Sequence, residues 1–152
     1  MSQDENPIMQ IPDIWHKTIE ITGNYQLVDN DSGCHYYIKS PAIAPPSPVN
    51  YIINLPPTGK IRQGMNFKFI TENMVLPNVN WFIVSDQHNL KGFICHFDGC
   101  EISMNSSNTQ RHNTIKIPPL TQEGQSVYIN GYNGYWYIDS GALAGRITFG
   151  PT

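Results

Sequence analysis

Twice along this chain an alternating apolar stretch ends at two consecutive prolines, passes a glycine and enters a second alternating stretch. The first copy runs Ile53, Asn54, Leu55, Pro56, Pro57, then Gly64 and the stretch from Met65 to Ile70. The second runs Ile115, Lys116, Ile117, Pro118, Pro119, then Gly124 and the stretch from Gln125 to Ile129. Proline fixes φ and offers no N–H, so a strand cannot carry its ladder through a proline pair and must end there. Each copy later reaches a tryptophan in an apolar stretch, Trp81 and Trp136. Units of this kind build a β-sandwich or barrel and leave little chain for a catalytic apparatus. The offset of sixty to sixty-two positions fits two readings. One is true two-fold pseudo-symmetry; the other is a shared strand–turn grammar.

At 152 residues the chain fits one domain, large enough to bury roughly 70% of its unfolded surface. Charged residues make up only 14%, against roughly 25% in an ordinary soluble protein. Amides and hydroxyls must therefore supply solubility, and such a surface packs against copies of itself with few charges to desolvate. The net charge of -3, with no block of Lys or Arg, gives no footprint for nucleic acid. No apolar run is long enough to span a membrane as a helix, and the polar start from Met1 to Pro7 does not read as a signal peptide. Three cysteines, Cys34, Cys95 and Cys100, cannot all pair within the chain, which favours synthesis in a reducing cytoplasm.

Residues 1–13, with Pro7 and Pro12, read as a flexible arm before a single β-domain over 14–152. Alternation from Trp15 to Thr22 predicts a half-buried strand. Stretches 25–28 and 35–38 are expected to form a hairpin across Asp29–Gly33. Positions 41–48 hold four prolines and read as an extended connector. Further strands are expected at 49–55, 65–71, 79–85, 93–97, 101–104, 114–117, 126–130, 135–139 and 146–149. Positions 86–92 and 105–113 read as loops, and 141–145 as a small-residue crossover. No window has helical periodicity. Ten to twelve short strands, at about ten-residue spacing, argue for an antiparallel sandwich, jelly roll or barrel.

The residues form no recognisable catalytic pattern. Cys95, His96 and Cys100 resemble a metal motif, but adjacent strand residues point to opposite faces and do not share one ion; Cys34 and His35 have the same defect. The histidines (His16, His35, His88, His96, His112) sit in no nucleophile context, and Ser32 belongs to ordinary Ser-Gly turn chemistry. The twelve acids lie mostly in turns or near the N-terminus, which disfavours a carboxylate pair for glycoside cleavage. No glycine loop leads into a helix to cradle phosphate. Asn105-Ser106-Ser107 matches a glycosylation acceptor by form alone. No catalytic residue, cofactor or metal is therefore assigned.

One constellation can bind a partner. If Val127, Ile129, Trp136 and Ile138 face the core, alternation turns Tyr128, Tyr135 and Tyr137 outward, with Tyr132 beside them at the turn. Tyrosines on a sheet face suit a neighbouring subunit or a sugar. They also serve simply as packing beneath a loop.

The order from Tyr25 to Gly33, then Asn54-Leu55-Pro56-Pro57, Gly64 and the alternating stretch from Met65 to Ile70 resembles segments of virion proteins. These are bacteriophage tail and head fibres and capsid-associated proteins of large DNA viruses. Gly124 to Ile129 with Gly134 to Ile138 is similar to a closing hairpin in the same proteins. The resemblance covers about residues 25–139, and it implies a β-domain that assembles as a homotrimer in a virus particle. It brings no catalytic set. The chain lacks the shaft repeats of a whole fibre, so a small separate particle protein is expected, contacting itself and other virion proteins. The rival expectation is a receptor- or glycan-binding tip using Tyr128, Tyr132, Tyr135 and Tyr137 and the loop at 105–113.

Overall fold

The computed structural model describes residues 17–98, 101–104, 113–143 and 147–150. Their twelve strands form two sheets. Numbered in chain order, the seven-stranded sheet runs β1 (Thr18–Ile21), β3 (His35–Ile38), β5 (Asn66–Thr71), β10 (Ser126–Tyr132), β11 (Tyr135–Leu143), β7 (Leu90–Asp98), β8 (Glu101–Met104). The five-stranded sheet runs β12 (Thr148–Gly150), β9 (Thr114–Ile117), β6 (Val79–Val84), β4 (Val49–Asn54), β2 (Tyr25–Gln26). Two single-turn 3₁₀ segments, Asp29–Asp31 and Thr58–Lys60, are the helical content of the described residues. The expected arm at 1–13, Cys100, and nearly all of the loop at 105–113 lie outside the described residues.

The all-β expectation holds, but the antiparallel one is corrected. Five strand pairs are parallel: β1/β3, β3/β5, β2/β4, β4/β6 and β11/β7. The other five are antiparallel. The cause is the path of the chain. From β1 to β7, successive strands alternate between the sheets, so each return to a sheet comes after a full circuit and in the same direction. The opposite sheet's strand thus serves as the crossover that a parallel pair requires. For the same reason 25–28 and 35–38 are not a hairpin. Asp31 takes the Val28 N–H on its carboxylate at 3.1 Å, Gly33 turns with φ +85, and its N–H donates to the Asn66 carbonyl at 2.8 Å. The chain is led out of one sheet and into the other. Strand β11 also continues through Gly141 to Leu143, where a crossover was expected.

The two proline units are equivalent in three dimensions. Each leaves the five-stranded sheet (β4, β9) through its prolines, turns at a glycine with φ +85 (Gly64) or +84 (Gly124), and enters the seven-stranded sheet (β5, β10). Strands β5 and β10 are antiparallel neighbours, with Lys68 opposite Tyr128, its equivalent sixty positions on. A two-fold relation centred there reproduces the flanking bonds. The Gly64 N–H donates to the Gly131 carbonyl at 3.1 Å and the Gly124 N–H to the Thr71 carbonyl at 2.8 Å. The return bonds, Gly131 N–H to Met65 and Thr71 N–H to Gln125, measure 2.7 and 2.9 Å. Internal pseudo-symmetry is therefore present over these units. It stops after them: Trp81 falls on β6 in one sheet, and Trp136 on β11 in the other.

Both sheets contribute to one core. Phe67, Phe69, Val127, Ile129 and Trp136 from the larger sheet, with Trp81 and Ile83 from the smaller, are all buried as expected. Tyr25 on β2 meets Tyr36 on β3 edge-on, ring centroids 5.8 Å apart, which joins the sheets directly. Burying one such large side chain stabilises by about 1.5–3 kcal/mol. Against this, the indole N–H groups of Trp81 and Trp136 are buried without a hydrogen-bond partner, at a cost of about 1–3 kcal/mol each.

Candidate functional site

Alternation on β10 and β11 sorts their side chains as anticipated. Val127, Ile129, Trp136 and Ile138 point into the core, each at most 3% exposed. The tyrosines occupy the outer face of the larger sheet: Tyr132 is 51% and Tyr137 39% exposed, while Tyr128 and Tyr135 are half-buried. The two-residue Asn133-Gly134 turn, with φ +49 and +75, sets Tyr132 directly opposite Tyr135, as expected of a type I′ hairpin. Tyr132 and Tyr137 meet edge-on at 6.3 Å. The Lys91 ammonium sits 3.4 Å from the centre of the Tyr135 ring, a cation–π contact worth about 0.5–1 kcal/mol at a surface. Tyr128 stands apart from the turn, paired in register with Asp139 on one side and Lys68 on the other. The structure thus gathers Tyr132, Tyr135 and Tyr137 into one patch and leaves Tyr128 at its margin.

At the hairpin end of this face lies a polar cleft of about 550 Å³, bordered by Asp86, Gln87, His88, Asn89, Asn133, Gly134 and Tyr135. Asn89, 5% exposed, is its anchor. Its Oδ1 accepts from Ser85 Oγ–H at 2.6 Å. Its Nδ2 donates to Thr58 Oγ1 and to the Gly134 carbonyl, both at 3.0 Å. Its own carbonyl accepts the Trp136 N–H at 3.0 Å. Thr58 in turn donates its hydroxyl to the Asp86 carboxylate, and its N–H reaches both carboxylate oxygens at 3.1 Å. Three connections are stitched together here: the first proline unit, the β6–β7 loop and the β10–β11 turn. Sequence reasoning read 86–92 only as a loop and did not single out Asn89, Ser85, Asp86 or Thr58. The Asp-Gln-His-Asn stretch signals a turn, but nothing local to it signals that Thr58 and Gly134 meet there.

A second polar corner surrounds Asp31. Its backbone carbonyl accepts the Cys34 N–H at 3.1 Å and the Tyr36 hydroxyl at 3.4 Å. Burial, and then the Asp31 carboxylate, push the Cys34 thiol, the Tyr36 phenol and the Tyr25 phenol above their ordinary values. Cys34 is buried and free, a protonated packing thiol rather than a nucleophile. Among the described residues, no group of three or more His, Cys, Asp or Glu side chains is placed to hold a metal ion. The Cys95 side chain and Cys100 lie outside that set. No protein-family model, curated protein or solved structure matches the chain.

Proposed function

We propose that the chain is a non-enzymatic structural component of a virus particle, a small β-domain that self-assembles, as a homotrimer, through the outward tyrosine face of its larger sheet. The observation that carries the assembly half is the patch of Tyr132, Tyr135 and Tyr137 on the outer face of the larger sheet, with Tyr132 and Tyr137 exposed and in contact and Lys91 paired with the Tyr135 ring. Tyrosine offers large area with little conformational entropy to lose, and its hydroxyl keeps a hydrogen bond when the ring is covered. A low overall charge of 14% leaves few ions to strip of water on contact. The particle half rests on the resemblance of residues 25–139 to virion modules. A stable interface between copies buries about 1,600 Å² in total, and closed symmetry lets one copy's tyrosine patch meet a different surface of the next.

Two measurements test the two halves. Peptide mass spectrometry of purified particles from the source is expected to find the chain at a fixed ratio to the major shell protein; its absence from them removes the particle assignment. Tyr137→Ala and Tyr132→Ala, at exposed sites, are expected to lower the assembled mass in light scattering while leaving the β-type circular dichroism unchanged. Unaltered assembly in both removes the tyrosine face as the contact.

A further inference from the structure

We infer that the cleft bordered by Asp86, Gln87, His88, Asn133, Gly134 and Tyr135 is a binding site for a neutral saccharide, a function beyond the assembly role that shares Tyr135 alone with the proposed contact patch. The cleft volume of about 550 Å³ falls within the 300–1,000 Å³ of small-molecule pockets and suits one or two sugar rings. Its frame is fixed before any ligand arrives. Asn89 ties the β6–β7 loop to the Gly134 carbonyl and to Thr58, and Thr58 holds the Asp86 carboxylate through its N–H and hydroxyl. A pre-set frame lowers the ordering cost of binding.

The lining selects the ligand class. Asp86 is a carboxylate with acceptor capacity beyond the bonds it gives Thr58, because an ionised carboxylate has about four lone-pair sites. The exposed side chains of Gln87, His88 and Asn133 add donors and acceptors, and none of them makes a side-chain hydrogen bond to another described residue. Vicinal hydroxyls, each both donor and acceptor, match this mixture. Tyr135 borders the cleft at its rim, with the Lys91 ammonium 3.4 Å from its ring centre, and an aromatic residue at the rim suits the apolar C–H face of a sugar. The Asp86 carboxylate disfavours phosphates and acidic sugars on the loop side of the cleft, where a like charge is repelled, while the Lys91 ammonium at the other side is engaged with the Tyr135 ring.

The test is ligand-observed NMR, by saturation transfer, on the full chain with lactose, maltose, mannose, N-acetylglucosamine and sialyllactose. At least one neutral sugar is expected to bind saturably, and lactose is expected to bind more tightly than sialyllactose, which adds a carboxylate-bearing sialic acid ring to the same disaccharide. Gln87→Ala and Asn133→Gly are the cleft variants; glycine keeps the positive φ at position 133, and the position 87 side chain is exposed, so both preserve the fold. Each is expected to weaken binding at least tenfold, while Tyr137→Ala, on the sheet face, leaves it unchanged. No binding by any neutral sugar, sialyllactose binding more tightly than lactose, or full binding by both cleft variants would overturn the inference. Light scattering on the same samples reads assembly separately, so loss of sugar binding in a normally assembled cleft variant, or the reverse in Tyr137→Ala, tells the two roles apart.

Discussion

Replacing Asn89 by alanine removes three side-chain hydrogen bonds: from Ser85 Oγ at 2.6 Å, and to Thr58 Oγ1 and the Gly134 carbonyl at 3.0 Å. At about 1 kcal/mol net for each bond, the direct loss is about 3 kcal/mol. Ser85 is only 1% exposed, so its hydroxyl is left buried without an acceptor, which adds about 1–2 kcal/mol. The total, about 4–5 kcal/mol, corresponds to a fall in Tm of about 8–20 °C for a chain of this size. Urea unfolding followed by tryptophan fluorescence reads it, since Trp81 and Trp136 lie in the core. The double variant Ser85→Ala with Asn89→Ala isolates the pair. It is expected to be no less stable than Asn89→Ala alone, because removing both partners leaves no orphaned hydroxyl. A loss under 1 kcal/mol for Asn89→Ala, or strict additivity of the two substitutions, would refute the reasoning that this residue clamps three connections.

Three further outcomes follow from the geometry. Gly64→Ala and Gly124→Ala each place a methyl group in open space at φ near +85, so each should cost about 1–2 kcal/mol of backbone strain; calorimetry showing one costing several times the other would deny their equivalence. Stability should fall as pH rises above about 9, and faster above about 10, because the unfolded chain releases the Cys34 and Tyr36 protons at ordinary values of 9.0 and 10.0 while burial and Asp31 hold them on in the fold. The contribution is complete below those values and is lost above them, so a flat stability profile from pH 8 to 11 contradicts it. In a thiol-reagent assay on a variant with Cys95 and Cys100 replaced by serine, Cys34 should react only at the rate of opening of the fold; immediate reaction in the native protein would deny its burial.

Much of the fold was legible because it is written in short-range rules. Alternation placed Val127, Ile129, Trp136 and Ile138 inside and the tyrosines outside, and composition marked a hairpin at 130–134, although β10 runs on to Tyr132 and the turn itself is only Asn133-Gly134. The proline pairs marked both crossings between sheets, and the glycine spacing hinted at the two-fold relation. Strand pairing was not legible. Residues 25–38 contain the grammar of a hairpin, yet Asp31 and Gly33 redirect the chain to the other sheet through bonds to Val28 and Asn66. The distinction between parallel and antiparallel neighbours depends on that path rather than on any local pattern. The cleft escaped notice for a related cause: Thr58, Asn89 and Gly134 are far apart in sequence, and each alone is an unremarkable turn residue.

Sedimentation velocity of the unmodified chain across low to high micromolar concentrations addresses the assembly claim most directly. A single boundary at three times the chain mass, persisting on dilution, is the predicted result. A boundary at the mass of one chain throughout that range would contradict it.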